Sequence, residues 1–311
     1  MRRLFVLIVL LILAGCSSSY PGMTASEEPT ILVYSQLDAT LSSYSEQLKL
    51  GQTWELERAY TGMILLPEDQ ILFYGYGLDT AGIYNLRTGE LLAEVETPEG
   101  TVGGYSDAYG FYLANSQTNT VTIYDFTFNE IKQIQTGRYP MSITSQDAML
   151  YVVNYQDDHL TLIDQVQWET HDEFSIPRAS QGVKIHNDSI YIGGHGSGSE
   201  VNTKVIQLDK ETGEVVTTIE APIMPISFIT HQDELYTLSH GSNQLYRVDE
   251  QSVTDEMEVA SNPFAMGASQ EFIYLAGYDD DTLYKINEME VVDSIPTGDG
   301  PLQLLLWEGS K

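Results

Sequence analysis

Apolar and polar residues alternate with a period of two along most of the chain, in short runs separated by turn-forming residues. The stretch LYVVNYQDDHLTLID, residues 150 to 164, contains an apolar run, a polar interruption and a second alternating run. Alternation of this kind over four to eight residues is typical of half-buried β-strands. Because the sequence shows no sustained helical stripe of apolar residues, the pattern predicts an all-β protein.

The same unit recurs seven times, at spacings of 38 to 45 residues. Equivalent apolar strands are anchored at Leu32, Leu72, Tyr112, Tyr151, Tyr191, Tyr236 and Tyr274. Thirteen positions later, with five extra residues allowed in the fifth unit, stand Ser45, Asn85, Asp125, Asp164, Asp209, Asp249 and Asn287. A short polar side chain at a strand end bonds to backbone two residues on and so opens a turn.

Each unit contains four short predicted strands. The first three are illustrated by the runs at 141–144, 150–154 and 161–164, and the fourth, which follows the turn, by residues 215–219 of the next unit. A four-stranded unit of about 40 residues that repeats around an axis is the signature of a propeller blade. The runs LYVVN at 150 and TLID at 161 resemble the YVTN-type β-propeller repeat, and the resemblance extends over residues 30 to 308. It implies a seven-bladed β-propeller, a fold that hosts many unrelated functions.

The two ends of the repeat region predict how the ring closes. Residues 301–307 match the first strand of a unit, with Pro301 in register with Pro140, Pro225 and Pro263. The N-terminal unit begins at its second strand, residues 31–35, and lacks a first. We therefore expect the C-terminal strand to join the N-terminal blade, which removes an open sheet edge and makes residues 30–311 one domain.

The first sixteen residues predict export. Arg2 and Arg3 precede an apolar run over residues 4–14, which is shorter than the roughly 20 apolar residues that a membrane-spanning helix needs. The sequence LAGC that ends at Cys16 resembles the lipobox of bacterial lipoproteins, and this resemblance implies a signal peptide over residues 1–15 and an acylated Cys16. The alternative is an ordinary signal peptide followed by a free thiol.

The small, polar residues 16–29 that follow predict a flexible tether between lipid and domain. These features together predict an exported protein, anchored through acylated Cys16 in the bilayer on the outer face of a bacterial membrane. Cys16 is the only cysteine, so the domain contains no disulfide and no cysteine nucleophile.

The charge balance narrows the range of partners. The chain has 45 acidic and 14 basic residues, which makes nucleic acid an unlikely partner because phosphate binding requires a basic surface. Calcium remains open at residues 279–281 or 157–158, although three adjacent carboxylates match no known ligand spacing. The sequence predicts no cofactor, no metal site and no catalytic residue of a recognised motif.

Chemistry-bearing side chains concentrate in loops that a propeller places on one face. Four positions after the anchors stand Gln36, Tyr76, Ser116, Tyr155, His195, His240 and Tyr278. Incoming loops of the same face contribute Arg58, Arg138 and Arg178, three scarce arginines in a very acidic chain. We predict a ligand-binding site for an anionic small molecule, an envelope polymer or a protein partner at Arg138, Tyr139, Tyr155, Arg178, His195 and His240. The five-residue insertion within residues 196–202 is expected to form a wall or lid of this site.

Three alternatives stay open at this point. The arginines could pair with nearby acids such as Asp157 and Asp158, with the aromatic residues only capping strand ends. Several seven-bladed propellers hydrolyse lactones or act as lyases, so the chain could be an enzyme with His195, His240 or Glu99 as a base near the axis. A purely structural envelope protein would have no small-molecule site.

Overall fold

The computed structural model describes residues 19–309, so the predicted signal peptide and Cys16 lie outside the described residues. Twenty-eight strands form seven four-stranded antiparallel sheets in this part of the chain. Blade 1 contains β1 (Thr30–Ser35), β2 (Thr40–Tyr44) and β3 (Leu50–Glu55), together with β28 (Pro301–Trp307). Blade 2 contains β4 (Gly62–Leu66), β5 (Gln70–Tyr74), β6 (Thr80–Asn85) and β7 (Leu91–Glu96). Blade 3 contains β8 (Thr101–Asp107), β9 (Gly110–Asn115), β10 (Thr120–Tyr124) and β11 (Glu130–Gln135).

The remaining four blades follow the same order. Blade 4 contains β12 (Pro140–Gln146), β13 (Met149–Asn154), β14 (His159–Asp164) and β15 (Glu169–Ser175). Blade 5 contains β16 (Ser180–His186), β17 (Ser189–Gly194), β18 (Lys204–Asp209) and β19 (Val215–Glu220). Blade 6 contains β20 (Pro225–His231), β21 (Glu234–Ser239), β22 (Gln244–Val248) and β23 (Val253–Glu258). Blade 7 contains β24 (Pro263–Ala268), β25 (Ile273–Gly277), β26 (Thr282–Asn287) and β27 (Glu290–Pro296). The seven-bladed β-propeller predicted from the repeat is confirmed.

The ring closes as the sequence predicts. Strand β28 pairs antiparallel with β1, with Trp307 opposite Thr30 and Leu304 opposite Val33, and is the innermost strand of blade 1. The Gln303 side chain also links β28 to blade 2. It accepts a hydrogen bond from the Met63 amide at 2.7 Å and donates one to the Met63 carbonyl at 2.8 Å. The C-terminal strand thus ties both ends of the chain into the ring.

The core lies between the blades. The described residues form seven clusters of buried apolar side chains, one at each interface between neighbouring blades. The anchor residues sit in these clusters; Tyr112 and Tyr274, for example, are completely buried. Alternate side chains of one strand therefore pack against the previous and the next blade, which explains why the second strands are apolar on both faces.

The Asp or Asn at the end of the third strand opens the turn as expected. The Asp164 carboxylate accepts hydrogen bonds from the amides of Val166 and Gln167 at 2.7 and 2.8 Å, and Asp209 is bonded in the same way. These backbone donors hold the pKa of both carboxyl groups below its ordinary value. In blade 1, Ser45 takes the place of the Asp or Asn, and its hydroxyl accepts a hydrogen bond from the Lys49 amide at 3.3 Å.

Two faces of the ring are defined by their loops. The upper face carries the loops from blade to blade and those between second and third strands; the lower face carries the other turns. Within residues 19–309 there is no helix long and apolar enough to cross a membrane.

The predicted flexible tether over residues 16–29 needs a correction. Residues 19–23, which we call the N-terminal strap, pack against blades 1 and 2 at the lower face. Ser19 forms a β-bridge with Glu90, and the Met23 side chain is only 3% exposed. Small and polar composition predicts flexibility, but the Tyr20 and Met23 side chains of this segment pack against the core between blades 1 and 2.

Candidate functional site

The upper-face loops share a backbone conformation and a backbone hydrogen bond that place their side chains around the axis. The residue before the inner strand has a left-handed backbone in six blades, at Gly100, Tyr139, Ala179, Met224, Asn262 and Gly300. In five of the six blades, the carbonyl of this residue accepts a hydrogen bond from the amide of the residue four positions after the anchor. The Tyr155 amide donates to the Tyr139 carbonyl at 2.9 Å, and the His195 amide donates to the Ala179 carbonyl at 3.0 Å. The loop positions that the repeat register predicts to be equivalent therefore form a ring around the axis.

Six of these upper-face side chains contact one another in an unbroken arc over blades 4 to 7. We call this the aromatic arc; its members are, in order, Tyr139, Tyr155, His195, His240, Phe264 and Tyr278. Successive ring centroids lie 4.9 to 6.0 Å apart. Edge-to-face and tilted packing of this kind gives a preformed surface on which the flat face of a ligand can stack.

Two imidazoles at the middle of the arc have unused hydrogen-bonding capacity. Nδ1 of His195 and Nε2 of His240 are both buried and make no hydrogen bond, although the ring centroids are 5.0 Å apart. Burial and the neighbouring His240 lower the pKa of His195, so this ring is neutral near pH 7. A buried nitrogen without a partner is costly, and such groups are frequent at sites that receive a ligand.

The orientation of His240 follows from its neighbours. Nδ1 lies 3.0 Å from Oδ1 of Asn262, whose amide nitrogen lies 3.4 Å from the Asp279 carboxylate. Because a carboxylate only accepts, Asn262 turns its nitrogen to Asp279 and its oxygen to His240. His240 must therefore donate from Nδ1, which leaves Nε2 with its lone pair in the neutral ring. This arrangement suits a hydrogen-bond acceptor or a general base.

The arginines of the upper face have different environments. Arg138 is 56% exposed but is tied to Asp157: its Nη2 and Nε bond to Oδ1 at 2.7 and 2.8 Å, and its amide bonds to Oδ2 at 2.6 Å. Arg178 is exposed, and its Nε lies 4.0 Å from the Asp158 carboxylate. The local ion-pair alternative describes Arg138, whereas Arg178 retains most of its donors for a ligand.

Arg178 lines a cavity of about 370 Å³ at the edge of blade 5. The insertion over residues 196–202 forms its other side, together with Lys204. Asn202 closes the insertion, since its amide donates to the His195 carbonyl at 2.9 Å. The cavity is lined by Gly194 and Gly196, the residues on either side of His195 in the chain, so it lies next to the His195 position of the arc.

Other predicted or considered residues lie elsewhere. Glu99 is exposed on the loop between blades 2 and 3, and Arg58 donates to Thr80 at 3.2 Å. The adjacent acids of blade 7 point to different partners, with Asp280 accepting the Ser261 amide and Asp281 the Gly300 amide, both at 2.8 Å. Within residues 19–309, no three His, Cys, Asp or Glu side chains group as metal ligands.

Sequence reasoning missed Phe264 and Asn262. The sequence contains a signal for them, because Pro263 begins an inner strand in the same register as Pro140, and the residues just before Pro140 belong to the predicted site. Phe264 fills the arc between His240 and Tyr278, and Asn262 orients His240.

Comparisons with known proteins establish the fold alone. The sequence matches no family model and no curated protein. Among solved structures, virginiamycin B lyase from Staphylococcus aureus is 16% identical with a TM-score of 0.69, over 83% of this chain and 92% of that one. Apo AztD from Citrobacter koseri is 8% identical with a TM-score of 0.65, over 90% and 98%. A functionally unknown protein from Desulfotomaculum acetoxidans is 9% identical with a TM-score of 0.71, over 89% and 98%.

Proposed function

We propose that the chain is a lipid-anchored, extracytoplasmic binding protein whose upper face takes a ligand with a flat ring and an anionic group. The observation that carries this proposal is the aromatic arc with two imidazole nitrogens that lack partners. A ring that stacks on Tyr155 or Phe264 would offer polar groups to these nitrogens. Sugar acids and aromatic carboxylates have this combination of groups.

Arg178 is the cation best placed for the anionic group of the ligand. Arg178 lines the cavity that Gly194 and Gly196 border on either side of His195, and an exposed pair at 4.0 Å holds its guanidinium only weakly. Arg138 is a natural control, because its bonds to Asp157 leave it little capacity for a ligand.

The proposed location rests on the leader and on the strap. The apolar run that precedes Cys16 resembles a lipoprotein signal, and Ser19, three positions after Cys16, pairs with Glu90 of the propeller. An anionic ligand would be a sugar acid or carboxylate encountered outside the cytoplasm.

The test is the thermal unfolding midpoint of residues 19–311 against a panel of sugar acids, aromatic carboxylates and their uncharged analogues. A ligand at about 100 times its dissociation constant stabilises by about 2.7 kcal/mol. We expect an acid to raise the midpoint, Arg178→Gln or His240→Phe to abolish the shift, and Arg138→Gln to leave the shift in place. A shift equally sensitive to both arginines, or no shift with any compound, overturns the proposal.

One observation favours an enzymatic alternative. Asn262 bonds Nδ1 of His240 and leaves the buried Nε2 without a partner, an arrangement suited to proton abstraction by the neutral ring. A histidine-to-alanine variant of virginiamycin B lyase, solved with quinupristin, is described as catalytically inactive. A lyase function predicts that this chain converts quinupristin to a product, and that His240→Asn abolishes turnover without lowering the unfolding midpoint. Unchanged quinupristin after prolonged incubation with the folded protein would refute it.

A further inference from the structure

The N-terminal strap is docked by specific side-chain contacts. The Tyr20 ring stacks on Trp54 with centroids 4.8 Å apart and lies 5.3 Å from Tyr84. The indole nitrogen of the fully buried Trp54 donates to the Pro21 carbonyl at 2.7 Å, and the Met23 side chain enters the core between blades 1 and 2. Trp54 belongs to blade 1 and Tyr84 to blade 2, so the strap bridges two blades.

Backbone contacts fix the path of the strap even more narrowly. The Tyr20 amide donates to Gly89 and the Met23 amide to Leu86, at 2.8 and 2.7 Å. A Cβ added at Gly22 would lie 2.0 Å from the Arg87 carbonyl oxygen, and one at Gly89 would lie 1.7 Å from the Tyr20 oxygen. Both positions therefore need glycine for this approach, and the strap cannot slide along the turn without losing these contacts.

The strap ends at a defined point of the lower face. Ser19 pairs with Glu90, in the turn that precedes β7 of blade 2. Ser19 lies three positions after Cys16, and a fully extended chain spans at most about 11 Å over that interval. An acyl group on Cys16 would thus enter the bilayer close to the lower rim of blades 1 and 2.

We propose that the strap holds the lower rim of blades 1 and 2 against the bilayer, so that the upper face opens away from the membrane that carries the anchor. This inference rests on the proposed lipidation of Cys16. Charge does not supply the orientation, because lower-face turns begin with acids such as Asp125, Asp164 and Asp249, which anionic headgroups repel. The orientation comes instead from the short covalent link between Cys16 and Ser19 and from the docked strap.

The experiment measures the depth of single labels on the full chain in phosphatidylcholine vesicles that contain lipids with a quencher in the acyl chain. Because Cys16 is the only cysteine and its thiol is consumed by acylation, an engineered cysteine is the one site that a thiol-reactive fluorophore modifies. Lys49→Cys reports the lower face of blade 1 and Gly77→Cys the upper face of blade 2, where a Cβ meets nothing within 4 Å. Val166→Cys, 73% exposed, reports the lower face of blade 4.

We expect quenching to be strongest at Lys49→Cys, weaker at Val166→Cys and weakest at Gly77→Cys, with at least a twofold ratio between the extremes. Adding Tyr20→Ala and Gly22→Ala frees the strap and should bring the three labels to similar quenching. Thr24→Gly, an exposed position just beyond the strap, is the matched control and should leave the ranking unchanged.

The outcomes separate the two proposals. Mass spectrometry of the N-terminal peptide and sedimentation with vesicles test the anchor itself; a chain without acyl groups refutes the lipidation. A lipidated, vesicle-bound chain with equal quenching at Lys49→Cys and Gly77→Cys, or with a ranking that the freed strap does not change, overturns the orientation alone.

Discussion

Replacement of Trp307 should test how much the closing strand contributes to stability. Trp307 lies at the lower end of β28 opposite Thr30, is 3% exposed, and packs in the core between blades 1 and 2. Its indole nitrogen donates to Oδ1 of the buried Asp69 at 2.8 Å, and the Arg87 guanidinium lies 5.7 Å from its ring centroid. Loss of this side chain therefore opens a cavity and removes a hydrogen bond from a buried carboxylate.

The expected cost of Trp307→Ala is about 3–5 kcal/mol in the free energy of unfolding, the usual range for a buried large aromatic residue. Trp307→Phe keeps most of the apolar volume and should cost about 1–3 kcal/mol, chiefly through the lost bond to Asp69. The assay is urea unfolding followed by circular dichroism, with the half-buried Leu302→Ala on the same strand as a control. If Trp307→Ala costs under 1 kcal/mol, or no more than the Leu302 change, β28 is not what secures the ring.

Three further predictions concern stability. Met23→Ala should cost about 2–5 kcal/mol in urea unfolding because it empties part of a core, whereas the exposed Thr24→Ala should change the midpoint little; equal effects would contradict the docked strap. Gln303→Leu should cost about 1–3 kcal/mol, since it leaves the Met63 amide and carbonyl without their side-chain partner; a neutral result would show that water replaces these bonds. Stability should also fall as the pH drops below about 4, where unfolded Asp residues take up protons, because turn amides lower the pKa in the folded state of Asp125, Asp164, Asp209 and Asp249. Asp209→Asn keeps an acceptor oxygen but cannot titrate, so an acid-unfolding curve as steep as that of the unchanged chain would refute a role for Asp209.

Part of the candidate site could be predicted from local sequence and part could not. The repeat register places Tyr155, His195 and His240 at equivalent loop positions, and the loops of Tyr155 and His195 use the same backbone bond. The difference between Arg138 and Arg178 was not predictable from that register. Asp157 lies where it can bond both the side chain and the amide of Arg138, and only the folded loop decides this.

The sequence by itself determined the number of blades, the strands of each blade, the turn-opening Asp residues and the strand that closes the ring. The first three features depend on period-two burial and on contacts within one unit of about 40 residues, which recur in every unit, and the closing strand is recognisable because it matches the first strand of a unit. The tertiary structure alone decided which side chains meet around the axis and which histidine nitrogens stay without partners. It also decided that Tyr20 and Met23 are not part of a free tether, because the surface that buries them is assembled from blades 1 and 2 together. The side-chain pairs that meet between neighbouring blades differ from one interface to the next, so only the assembled ring decides which residues contact each other.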